Sequence, residues 1–275
     1  YNLANNGVSK VTEVAGDSLQ LKTLRFELET FVCDGEYARG LERALSAYLD
    51  GLGKTEQQAV WVSGFFGSGK SHLVKMLRYL WDDFEFPDGA SARSIVHLPD
   101  VVRDLFVELT NRSRHYGATK AASGTLGAGA MDNVRLAFLQ LLFRATGLPE
   151  NYSAARFVLW LREKQFLDKV LSTLRGRKLD PEREFKNFFV SIPLAEALVS
   201  ADPKYGTPKN AQEAIRSQFP ISDSPTIEDT LSLIRKMFGD GTKLPCTLVV
   251  VDEVQQYIGD KIQRAMDVQE ITEHC

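Results

Sequence analysis

Cysteine is scarce in this chain. Only Cys33, Cys246 and Cys275 occur in 275 residues, with no CxxC pair among them. That leaves nothing from which to build a disulfide framework or a cysteine-ligated zinc site, and it implies a reducing, cytoplasmic setting. Long apolar runs are also missing. No stretch approaches the roughly 18 residues of a membrane-spanning helix, and the first residues lack the layout of a signal peptide, so no membrane partner is expected. Charge of neither sign dominates: 33 Lys and Arg stand against 36 Asp and Glu, for a net charge of −3 and a pI near 5.9. Without a global basic field, nucleic-acid binding would need a local patch. Arg112, Arg114 and Lys120 make only a modest cluster, read as a solvated face, so nothing in this segment supports DNA as a partner. No repeat recurs at a fixed period.

What is present is ordinary globular composition, 44% hydrophobic and 25% charged. The length suits one large α/β domain or two smaller ones. Because the chain opens at Tyr1 rather than Met and ends inside the helix-like DVQEITEHC, a piece of a longer protein is expected.

The hydrophobic pattern organises the chain. SLQLKTLRFELET, within residues 1–30, alternates partly in period two and reads as a strand or an extended arm. In CDGEYARGLERALSAYLDGLG, Tyr37, Leu41, Leu45 and Tyr48 line one helix face, with Asp34 as cap and Gly51 as stop. QAVWVSG reads as a buried strand, and KSHLVKMLRYLW as a helix burying Leu73, Leu77 and Leu80. Helical faces recur at Leu98, Val102, Leu105 and Leu109, and at Val134, Phe138, Leu141 and Ala145, the latter closed by Gly147 and Pro149. Another helix is expected over Ser153–Leu174 and one starting at Asp180-Pro181. The glycine-rich stretch 117–132 is either a tightly packed strand followed by a loop or a loop throughout. CTLVVVDE gives a β-branched strand from Thr247 to Val251 ending in acids.

Gly64-Phe65-Phe66-Gly67-Ser68-Gly69-Lys70-Ser71 satisfies GxxxxGK[ST]. Glycines let the backbone turn tightly and aim successive N–H groups at phosphate oxygens. The helix that begins near Lys70 adds its positive end. The expected nucleotide-binding residues are Gly64, Gly67, Ser68, Gly69, Lys70, Ser71 and the adjoining His72, which falls on the polar side of the helix. Lys70 supplies charge to the β- and γ-phosphates, and Ser71 is a Mg²⁺ ligand.

The second element is Val249-Val250-Val251-Asp252-Glu253. A parallel strand delivers its last residue to the ligand edge of the sheet, making Asp252 the second Mg²⁺ ligand. Glu253 is the catalytic base or orienter of the attacking water, with Lys70 as its electrostatic partner. Alternation along a strand would point the two acids to different roles. A GTPase would carry DxxG here and an NKxD motif elsewhere; neither occurs. The expected fold is therefore an α/β P-loop NTPase of the ASCE, AAA+-like type, a parallel sheet flanked by helices, with ATP and Mg²⁺ as cofactors. About two thirds of the chain lies between Lys70 and Asp252, which requires a large helical insertion. The expected parts are an arm over 1–30, the first part of the ATPase core over 31–147, the insertion over 148–240, and the Walker B part over 241–275. The insertion is either a partner surface or packing for the core.

Four stretches together resemble one family. ETFVCDGEYARGLERALSAYL, VWVSGFFGSGKSHLVKML, SGTLGAGAMDNVRLAFLQLLFRATGLP and CTLVVVDEVQQYIGD are similar, in order and spacing, to the large ATPases of bacteriophage exclusion (BREX) systems, the BrxC/PglY family. The resemblance runs from about Glu29 to the end. It implies a very large cytoplasmic phage-defence protein whose AAA+-like module acts with other BREX proteins and self-associates through its ATPase modules. By analogy with AAA+ proteins of the origin-recognition type, the helix around Glu36-Tyr37 would border the adenine pocket. The strand with a polar sensor and the basic lid that follow in such ATPases are missing here, and no arginine finger is assigned. A nucleotide-gated scaffold that binds ATP without turnover, or a DNA translocase, are the alternative readings.

Overall fold

The computed structural model describes residues 18–54, 57, 59–65, 67–126, 133–222, 224–239 and 243–274. It is a mostly helical α/β structure with a small two-stranded parallel sheet, and it divides into two compact units. One comprises Tyr1–Ala130 and Phe238–Cys275, the other Met131–Met237. Among the described residues, no helix is long and apolar enough to cross a membrane.

The first unit opens with α1 (Ser18–Glu29), where a strand or extended arm is expected from the sequence; residues 1–17 of that arm lie outside the described residues. The correction has a simple cause. Leu21, Leu24 and Leu28 recur at three and four residues, and Leu24 and Leu28 are completely buried. The partial alternation between them is incidental, and the 3.6-residue period decides. In α2 (Gly35–Gly51), Leu41, Leu45 and Leu49 turn inward, and Asp34 sits at the N-cap without a side-chain capping bond. The helix runs through Gly51 and ends at Leu52, one residue later than its expected stop.

Next comes α3 (Lys70–Trp81), which buries Leu73, Met76 and Leu80, with Leu77 only partly covered. The short α4 (Ala92–Ile95) and the long α5 (Asp100–Ser113) follow, the latter burying Val102, Phe106 and Leu109. Arg93 on α4 serves both neighbours. Its guanidinium donates to the carbonyls of Leu80 (2.6 Å) and Trp81 (2.8 Å), the last of α3, and to Phe106 O and Thr110 Oγ1 of α5. Burial lowers its pKa, and four oxygen acceptors offset that cost.

The glycine-rich stretch contains β1 (Thr119–Thr125), while residues 127–132 lie outside the described residues. After the second unit, its parallel partner β2 (Cys246–Asp252) pairs in register from Thr119 opposite Cys246 to Thr125 opposite Asp252. β1 is built of small residues, with Ala122, Ser123 and Gly124 buried. That lets α3 pack closely on both strands.

The second unit holds α6 (Val134–Ala145), α7 (Tyr152–Glu163), α8 (Leu167–Gly176), α9 (Pro181–Lys186), α10 (Ile192–Ala201), α11 (Pro208–Gln218) and α12 (Ile227–Phe238). Side-chain caps start six of them: Asn133, Asn151, Asp180, Ser191, Thr207 and Thr226 each accept a backbone N–H of the first turn. The helix expected over Ser153–Leu174 is two helices, because Gln165 adopts a left-handed conformation (φ 59°) between α7 and α8. Phe157 is central to the core, touching the rings of Trp160, Phe185, Phe188 and Phe219. Leu136, Leu139 and Phe143 place α6 in this core rather than with the residues that precede it.

The chain closes in the first unit with β2 (Cys246–Asp252), α13 (Val254–Ile258) and α14 (Ile262–His274). The described cysteines, Cys33 and Cys246, are free and buried, and burial raises both thiol pKa values.

Between α1 and α3 lies a buried ion pair, Lys75 Nζ to Glu27 Oε2 at 2.5 Å. Glu27→Ala leaves an uncompensated buried ammonium and should cost about 3 kcal/mol in urea unfolding, while Glu27→Leu combined with Lys75→Met should recover most of it. A Glu27→Ala variant as stable as the parent would show the pair to be dispensable.

Candidate functional site

The phosphate-loop motif forms a turn at the start of α3, described except for Phe66. Gly67 and Gly69 both take left-handed backbone angles, φ 79° and 77°. Residues with a Cβ adopt these reluctantly, so the motif's glycines are needed for their conformations. Gly69 is the N-cap of α3, its carbonyl accepting the Leu73 N–H at 2.9 Å. The N–H groups of Gly69, Lys70 and Ser71 are hydrogen-bonded to no described residue. They lie at the positive end of the helix, on half-buried residues, with no partner among the described residues.

Lys70 reinforces this. Its ammonium donates to the carbonyls of Gly64 (2.8 Å) and Phe65 (2.7 Å) and lies 3.5 Å from Ser68 Oγ. The cation thus sits over the same turn as these N–H groups. Tyr37, at the start of α2, reaches the turn from the other side, its hydroxyl donating to Ser68 O at 2.6 Å.

The segment leading into the turn departs from expectation. The sequence QAVWVSG predicts a buried strand, but the described residues 57 and 59–63 form none, and Val60 and Trp61 are 59% and 61% exposed. β propensity describes how a residue fits a pleated, half-buried surface. This run has no ladder partner among the described residues, so propensity has nothing to act on. The turn is held by α3 and by Tyr37 of α2 rather than by a preceding strand.

His72 also differs. It is not on a solvated face but half-buried, edge-on to Phe31 with ring centroids 5.5 Å apart, and its Nδ1 meets no partner. Burial lowers its pKa, outweighing the opposing pull of Glu27. A neutral, packed imidazole supports the helix start from behind and contributes no charge to the turn.

The second motif lies at the C-terminal end of β2. Asp252 is half-buried and paired in the ladder, its carbonyl accepting Leu126 N–H at 3.0 Å. One carboxylate oxygen accepts the Glu253 N–H at 2.8 Å. Glu253 itself is exposed and outside the strand, with φ 57° and ψ 23°, at the head of α13. Strand alternation therefore does not aim its side chain, as the sequence suggests. A left-handed turn aims it, and such a conformation costs a residue with a Cβ about 1–2 kcal/mol.

Both motifs belong to the first unit. The Trp81 indole N–H, at the C-terminal end of α3, donates to Cys246 O at the start of β2 (2.9 Å). α3 packs along both strands. At about 1.5 Å per residue it is roughly 16 Å long, against about 20 Å for β2. Pinned at Cys246, the helix directs its N-terminal end, with Lys70 and Ser71, toward the Asp252 end of the strand.

No protein-family model matches the sequence, and no solved structure matches it significantly.

Among the described residues no group of three or more His, Cys, Asp or Glu gathers to hold a metal ion. The donors that remain, the Ser71 hydroxyl and the Asp252 carboxylate, fit the one mode Mg²⁺ commonly uses: one or two protein oxygens, with phosphate and water completing the shell. The turn fits the phosphates, with these three N–H groups and an ammonium around it.

The strain at Glu253 yields a prediction. Glu253→Gly should leave the fold about 0.5–1 kcal/mol more stable in thermal unfolding, since glycine accepts the left-handed angle. Destabilisation would mean that the side chain holds the fold rather than a function.

Proposed function

We propose that this chain is a P-loop NTPase module of the AAA+-like type that binds Mg-ATP at Gly64–Ser71 and hydrolyses it. The observation that carries the reading is the turn before α3: two left-handed glycines, three N–H groups with no partner among the described residues and the Lys70 ammonium, all at the positive end of one helix. Such an assembly suits a polyphosphate and little else.

The residues divide the work. The N–H groups of Gly69, Lys70 and Ser71 hold phosphate oxygens. Lys70 exchanges the Gly64 and Phe65 carbonyls for the β- and γ-phosphates, where its charge offsets what develops as the terminal bond breaks. The Ser71 hydroxyl and the Asp252 carboxylate would hold a Mg²⁺ ion, which would supply positive charge to offset that of the phosphates. Glu253, exposed at the head of α13, orients water for in-line attack on the γ-phosphorus and accepts its proton. We further propose the wider setting that the sequence resemblance implies: a cytoplasmic BREX-type defence ATPase in which turnover drives a conformational or assembly change with itself and other defence proteins.

Calorimetric titration with Mg-ATP should detect binding to the chain, and Lys70→Ala should weaken it about ten- to hundredfold, as loss of charge-assisted bonds does. Glu253→Gln should retain affinity while phosphate release falls at least about a hundredfold. Absence of binding in the parent chain would sink the proposal. Binding with undiminished phosphate release in Glu253→Gln would remove that residue from the chemistry, and binding with no release at all in the longer protein would favour the nucleotide-gated scaffold.

A further inference from the structure

Tyr37 stands outside the phosphate-loop motif yet touches it at its most constrained point. Its hydroxyl donates to the Ser68 carbonyl at 2.6 Å. A peptide unit is planar and trans, so its C=O and N–H point in opposite directions. Whatever holds the Ser68 carbonyl therefore also aims the Gly69 N–H, on the same plane, away from Tyr37 and toward the open side of the turn. That N–H is one of the three donors at the start of α3 with no partner among the described residues.

The contact is built rather than incidental. An ideal Cβ on Gly69 would lie 1.9 Å from the Tyr37 hydroxyl and 3.1 Å from its ring carbon Cζ, so the glycine is required by this neighbour as well as by its own φ. Behind Tyr37, the ring of Phe31 stacks at 6.3 Å with an interplanar angle of 13°, and Phe31 is itself buried and edge-on to His72. Tyr37 belongs to the first turn of α2, whose Leu41, Leu45 and Leu49 anchor the helix in the core. The hydroxyl thus has a fixed mount.

We propose that Tyr37 is the positioning residue of the phosphate loop. By gripping the Ser68 carbonyl it presets the Gly69 N–H for a phosphate oxygen and so raises affinity for the polyphosphate, independently of the base. This rests on the nucleotide-binding reading above. It assigns Tyr37 to the phosphates, whereas the family analogy points its neighbourhood at adenine.

The test compares Tyr37→Phe with the parent chain, using Mg-ATP and tripolyphosphate as separate probes in calorimetric titration. The variant keeps the ring stack and loses only the hydroxyl; circular dichroism and thermal melting check that it folds. Both probes should bind roughly three- to tenfold more weakly, the range for loss of one hydrogen bond, and by the same factor. Unchanged affinity for tripolyphosphate overturns the proposal, and a loss confined to ATP overturns it too, by assigning Tyr37 to the nucleoside. A parent chain that binds neither probe defeats the nucleotide reading itself. A second measurement uses Gly69→Ala, whose loss of tripolyphosphate affinity should be smaller in the Tyr37→Phe background, where the added Cβ no longer meets an oxygen. Equal losses in both backgrounds would show that the contact does not shape the loop.

Discussion

A helix cannot satisfy its own ends, and in the first unit the two ends of α3 are treated oppositely. At the C-terminal end, the carbonyls of Tyr79, Leu80 and Trp81 all find partners inside the protein. Arg93 takes the Leu80 and Trp81 carbonyls, the Phe84 N–H takes Tyr79 O at 3.0 Å, and the Trp81 indole reaches across to Cys246 O. The cation also suits the negative end of the helix dipole. At the N-terminal end the donors of Gly69, Lys70 and Ser71 have no partner among the described residues. One end is closed by protein and the other is available to an anion. The position of the available end then follows from how firmly the closed end is held.

Its lateral support comes from the two strands on which it packs, joined by side-chain contacts with α1 and α2. A two-stranded sheet is marginal by itself, and β2 is only partly buried along most of its length. The buried Lys75–Glu27 pair ties α3 to α1, the Phe31 ring backs both His72 and Tyr37, and Tyr37 ties the turn to α2. Any shift of α2 would therefore be felt at the Ser68 peptide through Tyr37, and at the start of β2 through Tyr48, which is edge-on to Trp81 and hydrogen-bonded to Cys246. The loop is coupled to α1 and α2, and through Trp81 and the packed face of α3 to the strands.

These dependencies explain which features could be read from the sequence. α3 and β2 were legible because their patterns are strong and local: Leu73 and Leu80 at helical spacing, and a β-branched run ending in acids. The turn's glycines were legible because GxxxxGK[ST] is a local backbone requirement. β1 was ambiguous because Ala121, Ala122, Ser123 and Gly124 carry no strand propensity; only the ladder with β2 makes them a strand. The run through Val60, Trp61 and Val62 failed the opposite way, having propensity and no ladder. α1 was obscured by chance alternation, and the α7–α8 break depends on one left-handed residue, Gln165. Tyr37's grip on Ser68 and Arg93's on α3 are contacts between distant parts of the chain, for which spacing holds no signal.

The two acids after β2 illustrate the same limit at closer range. From sequence they look equivalent, adjacent carboxylates at a strand end. In the structure the first spends one oxygen on the backbone N–H of the second, and the second sits in a left-handed turn, free in solvent. Asp252 thereby braces the turn that Glu253 occupies. A strained residue persists only where its surroundings over-determine it, and selection for stability alone would favour glycine there. A carboxylate kept at that cost, at the C-terminal end of β2, answers to a demand other than the stability of the fold.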